Sequence, residues 1–185
     1  INTAYNADGT TKDIGSTYSV TPNVMLTNYD VTANAGTVTM NKAILNLGLD
    51  GTVGLVAEKH GEQVLNSLND LTADAKGNVY WTDPAGSSAE KPVGRIFRVT
   101  PTGQVDQVAE GLAFPNGLDV DPEGKNLYVI ESQTQRILRY ELPPDLKPLG
   151  PASPFYDLGG SGGDGCAFDA AGNLWVADFH RKETG

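Results

Sequence analysis

The feature that most restricts this fold is a pattern that recurs three times at a nearly fixed interval. It runs from Leu68 to Asp83, again from Pro115 to Glu131, and again from Gly163 to Asp178. Each copy opens on a small polar residue (Asn69, Asn116, Asp164), and these leads lie 47 and 48 residues apart. A turn glycine follows at the same interval (Gly77, Gly124, Gly172). A short β-favouring run then closes each copy on an acid: Asp83, Glu131 or Asp178. A period of this length marks a repeat architecture, in which each unit must stack on its neighbours to bury its faces.

The segments between the copies supply the remaining strands. Ala43–Leu47 and Thr52–Ala57 flank Asp50-Gly51 and read as two strands around a tight turn. Arg95–Val99 and Gln104–Ala109 around Thr102-Gly103 repeat that pair 52 residues later. Gln135–Tyr140 is a third version of the first strand. Its return strand is expected near Pro154–Leu158, behind a proline-rich insertion (Pro143, Pro144, Pro148, Pro151). One period thus holds about four short strands separated by Gly or Pro turns, which is the blade of a β-propeller. The 22 glycines and 11 prolines, with hardly any helical periodicity, agree with an all-β chain.

The expected organisation is an irregular arm over 1–20 and a partial propeller over 21–185, with blades at about 21–60, 68–110, 115–160 and 164–185. Asn23–Asn28 aligns loosely with Asn78–Asp83 and supports a degraded first copy. Four blades, not all whole, fall short of a closed ring of ordinary size. Open blade edges favour self-association with another copy.

With 13 basic and 23 acidic residues the formal net charge is -10, which opposes nucleic acid and anionic membrane surfaces and suits cations or neutral ligands. No apolar run approaches the ~20 residues that span a bilayer. A soluble protein is expected, with a slight lean to a secreted or periplasmic setting. The single cysteine, Cys166, reports no redox compartment because it cannot form an internal disulfide.

Stacking the blades brings Asn69, Asn116 and Asp164 together at one mouth of the central channel. Two amide oxygens and a carboxylate make a hard-oxygen site suited to Ca²⁺, with Mg²⁺, Mn²⁺ or Zn²⁺ as alternatives. Cys166, His60 and His180 lack zinc-ligand spacing. Taken singly, Asn116-Gly117 and Asp164-Gly165 are ordinary turn dipeptides. No glycine follows Asn69, and the shared phase of the three leads favours a common mouth. The closing acids Asp83, Glu131 and Asp178 read as structural caps. Trp81, Tyr128 and Trp175 read as inter-blade core, and Cys166, beside Phe168, as a buried inert thiol.

Several of these stretches together resemble a known family. Asn66-Ser67-Leu68-Asn69-Asp70 is similar to the Asn-Ser-Pro-Asn-Asp motif of the gluconolactonase / senescence marker protein / luciferin-regenerating family, and Tyr80-Trp81-Thr82-Asp83-Pro84 to its aromatic-Thr-Asp-Pro strand. Phe114-Pro115-Asn116-Gly117-Leu118 resembles its Pro-Asn-Gly motif. Asp164-Gly165 with Gly172–Ala177 resembles its Asp-Gly…Gly-Asn-Leu-Trp-Val-Ala segment. The resemblance implies a six-bladed propeller holding a divalent metal, often calcium. It also implies hydrolysis of lactones or, in relatives, of organophosphate esters.

On that resemblance Asn116 and Asp164 match metal ligands, and Asn69 matches a position contacting metal or substrate, with Asp70 beside it as a second substrate contact. Asp164, the one carboxylate of the trio, is the expected catalytic residue. Leu68 stands where the family has proline, and no Glu-Gly-Pro-like segment supplies the family's further ligand; Glu58, Glu62 and Glu110 sit in other contexts. The rival expectation is a ligand- or protein-binding propeller, since Tyr80-Trp81-Thr82-Asp83 spells the repeat of receptor-type propellers. The tetrapeptide occurs once; its counterparts read Tyr128-Val129-Ile130-Glu131 and Trp175-Val176-Ala177-Asp178. An inactive fragment of the lactonase family is the third reading.

Overall fold

The sequence period folds into antiparallel sheets. The computed structural model describes residues 52–65, 67–160 and 162–179, and the backbone of four short strands within 17–47. Most of the expected arm, Asn23–Asn28 and His180 lie outside the described residues. The chain divides into two units, 1–66 and 67–185.

In the first unit, β1 (Thr17–Ser19), β2 (Val31–Asn34) and β3 (Thr37–Met40) form an antiparallel sheet in the order β1-β3-β2. β4 (Ile44–Leu47) pairs with β5 (Val53–Ala57), the hairpin expected around Asp50-Gly51. β6 (Lys59–His60) pairs with β7 (Gln63–Val64). The described strands of this unit form three separate sheets; the degraded first blade is expected over 21–60. This stretch lacks the Asp/Gly/Asn turn that closes the later repeats.

The second unit carries the repeat. β8 (Leu71–Ala73), β9 (Val79–Asp83), β10 (Gly94–Val99) and β11 (Val105–Leu112) form one four-stranded antiparallel meander. β12 (Pro115–Val120), β13 (Asn126–Glu131), β14 (Arg136–Glu141) and β15 (Ser153–Asp157) form the next. β15 is the return strand expected behind the prolines. β16 (Gly163–Phe168) and β17 (Leu174–Asp178) form a hairpin.

Period-2 alternation sends successive side chains to opposite faces, and both faces of the middle sheet are covered. Leu127, Val129, Leu138 and Tyr140 pack with Tyr80, Ile96 and Val108 of the first sheet. Tyr128, Ile130 and Ile137 pack with Cys166, Phe168, Leu174 and Val176 of the hairpin. Tyr128 meets Phe155 and Phe168 edge-on, at ring separations of 4.8 and 5.0 Å. Trp81 is wholly buried and stacks on Phe97 at 5.5 Å. Trp175 departs from the expected core role. It is 67% exposed, because among the described residues nothing packs on that face of the hairpin.

Two of the closing acids are structural. Asp83 sits opposite Arg95 in register and pairs with it at 2.8 Å; Glu131 sits opposite Arg136 and pairs at 2.6 Å. The proline-rich insertion straps the second sheet to the first. Leu149 N–H donates to the Val108 carbonyl at 2.9 Å, and the buried Arg98 guanidinium donates to the carbonyls of Leu146 and Lys147.

Each repeat turn is braced by an acid that precedes its glycine. Asp74, Asp121 and Asp169 each accept backbone N–H groups across the turn and the side-chain amide of Asn78, Asn126 or Asn173. The glycines sit at φ 82°, 68° and 86°, where a Cβ is disfavoured. In the third turn the Asn173 amide, then the Trp175 indole N–H at 3.0 Å, hold the Asp169 carboxyl down to about 2.

A depressed acid pKa stabilises the folded form above the unfolded value of ~3.9 and ceases to do so as pH falls through the folded value. The Trp175 indole N–H resonance is therefore expected to shift as pH drops from about 4 through about 2. In Asp169→Asn it should not titrate there; the same titration in that variant would refute the assignment.

Candidate active site

The three lead residues sit at corresponding ends of three adjacent inner elements. Asn116-Gly117 lies in β12 where the register shifts between Pro115 and Leu118, and Asp164-Gly165 lies in β16 where it shifts between Gly163 and Cys166. Both dipeptides are thus strand bulges, not the turns their composition suggests. A bulge lifts residues out of the ladder and re-aims their side chains. Asn69 precedes β8, with its N–H on the Thr82 carbonyl at 3.0 Å. Thr82 in turn donates its hydroxyl to the Asn116 carbonyl at 2.8 Å. At Gly117 the backbone of β12 rests directly on that of residues 164–166.

The three leads differ in environment. Asn69 and Asp164 are exposed, and the Asp164 side chain has no hydrogen bond or ion pair among the described residues. Asn116 is 2% exposed and donates its Nδ2 to Ser132 Oγ at 3.1 Å, while no described donor reaches its Oδ1.

Asp70, expected to contact substrate, places its carboxylate on the N–H groups of Leu71 and Leu118, at 2.9 and 3.2 Å. It braces the first sheet against the second. Asp119, not anticipated from the sequence, does the same one blade on. It accepts from Thr72 Oγ1 at 2.6 Å and from Phe168 N–H at 2.7 Å, so it ties three inner strands together. Burial first, then Asp119 and Asp70, push the Cys166 thiol up to about 12. It stays protonated at neutral pH and is no nucleophile.

Among the described residues no group of three or more His, Cys, Asp or Glu side chains could hold a metal. The donors available are amide oxygens plus one carboxylate. That set fits a hard divalent cation in kind: the Asn116 amide presents oxygen, the Asp164 carboxylate is unengaged, and no described cation neutralises Asp70, Asp119 or Asp164.

A family model described as SMP-30/Gluconolactonase/LRE-like region matches residues 4–184. The chain belongs to that family. Among relatives of this SMP-30/gluconolactonase/LRE-like chain is Lactonase drp35 of Staphylococcus haemolyticus, 33% identical over 144 residues, covering 70% of this chain and 44% of the relative. A solved gluconolactonase from Xanthomonas campestris superimposes with a TM-score of 0.61 at 26% identity, over 72% of this chain and 48% of that one. Regucalcin from Agrobacterium tumefaciens, described as a calcium-binding protein, shares the fold with a TM-score of 0.59 at 23% identity, over 75% and 48%. This SMP-30/gluconolactonase/LRE-like chain spans less than half the length of each. The sheets of its second unit are propeller blades.

Proposed function

We propose that this chain carries the Asn69, Asn116 and Asp164 side of a metal-dependent lactonase site that opens a sugar or other small lactone. The observation that carries the reading is the pairing of an oriented Asn116 amide oxygen with the unengaged Asp164 carboxylate on adjacent inner strands. The lactonase and gluconolactonase relatives support the reaction class, and the calcium-binding neighbour supports the ion. Asn116 Oδ1, Asp164 and Asn69 would hold the cation, Ca²⁺ foremost. When bound, such an ion supplies Lewis-acid polarisation of a carbonyl and a more acidic water.

The chain's own groups do the rest. Asp164, exposed at the mouth, takes the proton of the attacking water on a carboxylate oxygen. Asn69, likewise exposed, offers an amide to orient the lactone. Asp70 and Asp119 keep the inner strands at fixed spacing, and their negative charge draws a cation toward the mouth.

The test is hydrolysis of gluconolactone by this chain after chelation and after Ca²⁺ is added back. Loss in chelator and recovery with Ca²⁺ are expected. Turnover that survives complete metal removal would sink the metal dependence. Absence of turnover at any Ca²⁺ level would sink the hydrolase reading for this chain.

A further inference from the structure

We infer that Ser132 is the positioning residue of this site, setting which atom of the Asn116 amide faces the cation and where Asp164 stands. The inference rests on the metal-site reading above. Ser132 begins a 3-10 turn (Ser132–Thr134) at the end of β13. Its N–H donates to the Phe114 carbonyl at 3.1 Å, and its backbone lies against Gly162, where any Cβ would strike it. The residue is 7% exposed, so its hydroxyl is largely shielded from water.

A serine hydroxyl carries one hydrogen and two acceptor lone pairs. Here the hydrogen is committed to the Gly163 carbonyl at 2.6 Å. Whatever approaches the same oxygen must therefore donate, and the Asn116 amide does so through Nδ2 at 3.1 Å. The amide cannot turn over without setting two acceptors against each other, so Oδ1 is held on the other side. The Gly163 carbonyl belongs to the residue preceding Asp164, so the same hydroxyl anchors the strand start that carries the carboxylate. Thr82 makes the related latch one blade earlier, donating to the Asn116 carbonyl at 2.8 Å, but there no side-chain amide is oriented.

The experiment measures Ca²⁺ affinity calorimetrically and by Tb³⁺ luminescence in Ser132→Ala and Ser132→Thr, with circular dichroism to verify folding. Each is made in the native chain and in the Asn116→Asp background. Loss of a buried partner behind a metal ligand costs ~10–100-fold in affinity. Ser132→Ala should lose that much with an unchanged spectrum, and Ser132→Thr should recover most of it. In Asn116→Asp both side-chain atoms are oxygens, so orientation no longer matters and the loss should shrink below about threefold, a coupling that a merely structural role would not produce.

Equal losses in both backgrounds, or none in the native chain, overturn the inference. A native chain that binds neither ion overturns the metal-site reading itself, and the inference falls with it. In the metal-free protein, slow exchange of the Asn116 side-chain amide protons that Ser132→Ala accelerates supports the latch independently. Unchanged exchange rejects it.

Discussion

Asp164→Asn is expected to abolish measurable Ca²⁺ binding by this chain and to cut lactone hydrolysis by ~10²–10⁴-fold, the range associated with loss of a positioned acid or base. Asn69 and Asn116 contribute neutral amide oxygens, so Asp164 supplies the only formal charge among the three donors, and calcium affinity follows ligand charge. The substitution is nearly isosteric. Because the Asp164 side chain is exposed and makes no hydrogen bond or ion pair among the described residues, its removal should leave stability within about 0.5 kcal/mol. Calorimetric titration with Ca²⁺, hydrolysis rates and a thermal melt on the same preparation separate the two effects. A variant that melts like the parent and still binds and turns over would remove Asp164 from the site. A variant that fails to fold would mean that the carboxylate supports the hairpin.

Much of the second unit was legible because its signals are local and periodic. The polar lead, the turn glycine and the closing acid place the inner strand, the turn and the second strand of each repeat, and the return strand at Ser153–Asp157 emerged from behind the prolines. What the sequence hid lies in register. Asn-Gly and Asp-Gly look like turns, and only pairing reveals them as bulges inside β12 and β16. Asp70 and Asn69 are neighbours in sequence, yet one braces the sheets through Leu118 N–H while the other faces solvent.

Ser132 and Thr82 have no distinguishing composition. Their hydroxyls matter because of the strand that happens to lie opposite. The Tyr80-Trp81-Thr82-Asp83 tetrapeptide is scaffold: its aromatics are core and its acid is paired with Arg95. Trp175 shows the reverse limit, since a core signal in one copy is fulfilled only where something packs against it.

Gly117→Ala should disrupt the contact between the inner strands β12 and β16. A Cβ there would overlap the Asp164 carbonyl oxygen and lie 2.7 Å from Gly165 Cα and 2.8 Å from Cys166 N. All three obstacles are backbone, so no flexible side chain can give way. The inner strand β16 must move off β12. That movement strains the Phe168 N–H bond to the Asp119 carboxylate and the Ser132 hydroxyl bond to the Gly163 carbonyl. A bond to a charged group contributes ~1.5–3 kcal/mol, a neutral one ~1, and overpacking adds ~1–3.

A cost of about 3–5 kcal/mol is large against the 5–15 kcal/mol that folded domains possess, and corresponds to a Tm lower by roughly 10 °C. Cation affinity should fall with it, because Asp164 moves relative to Asn116. Gly165→Ala is the control for the same change on the facing strand, since a Cβ there meets nothing within 4 Å. It should leave stability unchanged or raise it by the ~0.4–1 kcal/mol gained from a stiffer unfolded chain, with a Tm no lower than the parent's. If the two variants melt together, the inner strands do not seat backbone on backbone, and the close approach that brings Asn116 to Asp164 is wrong.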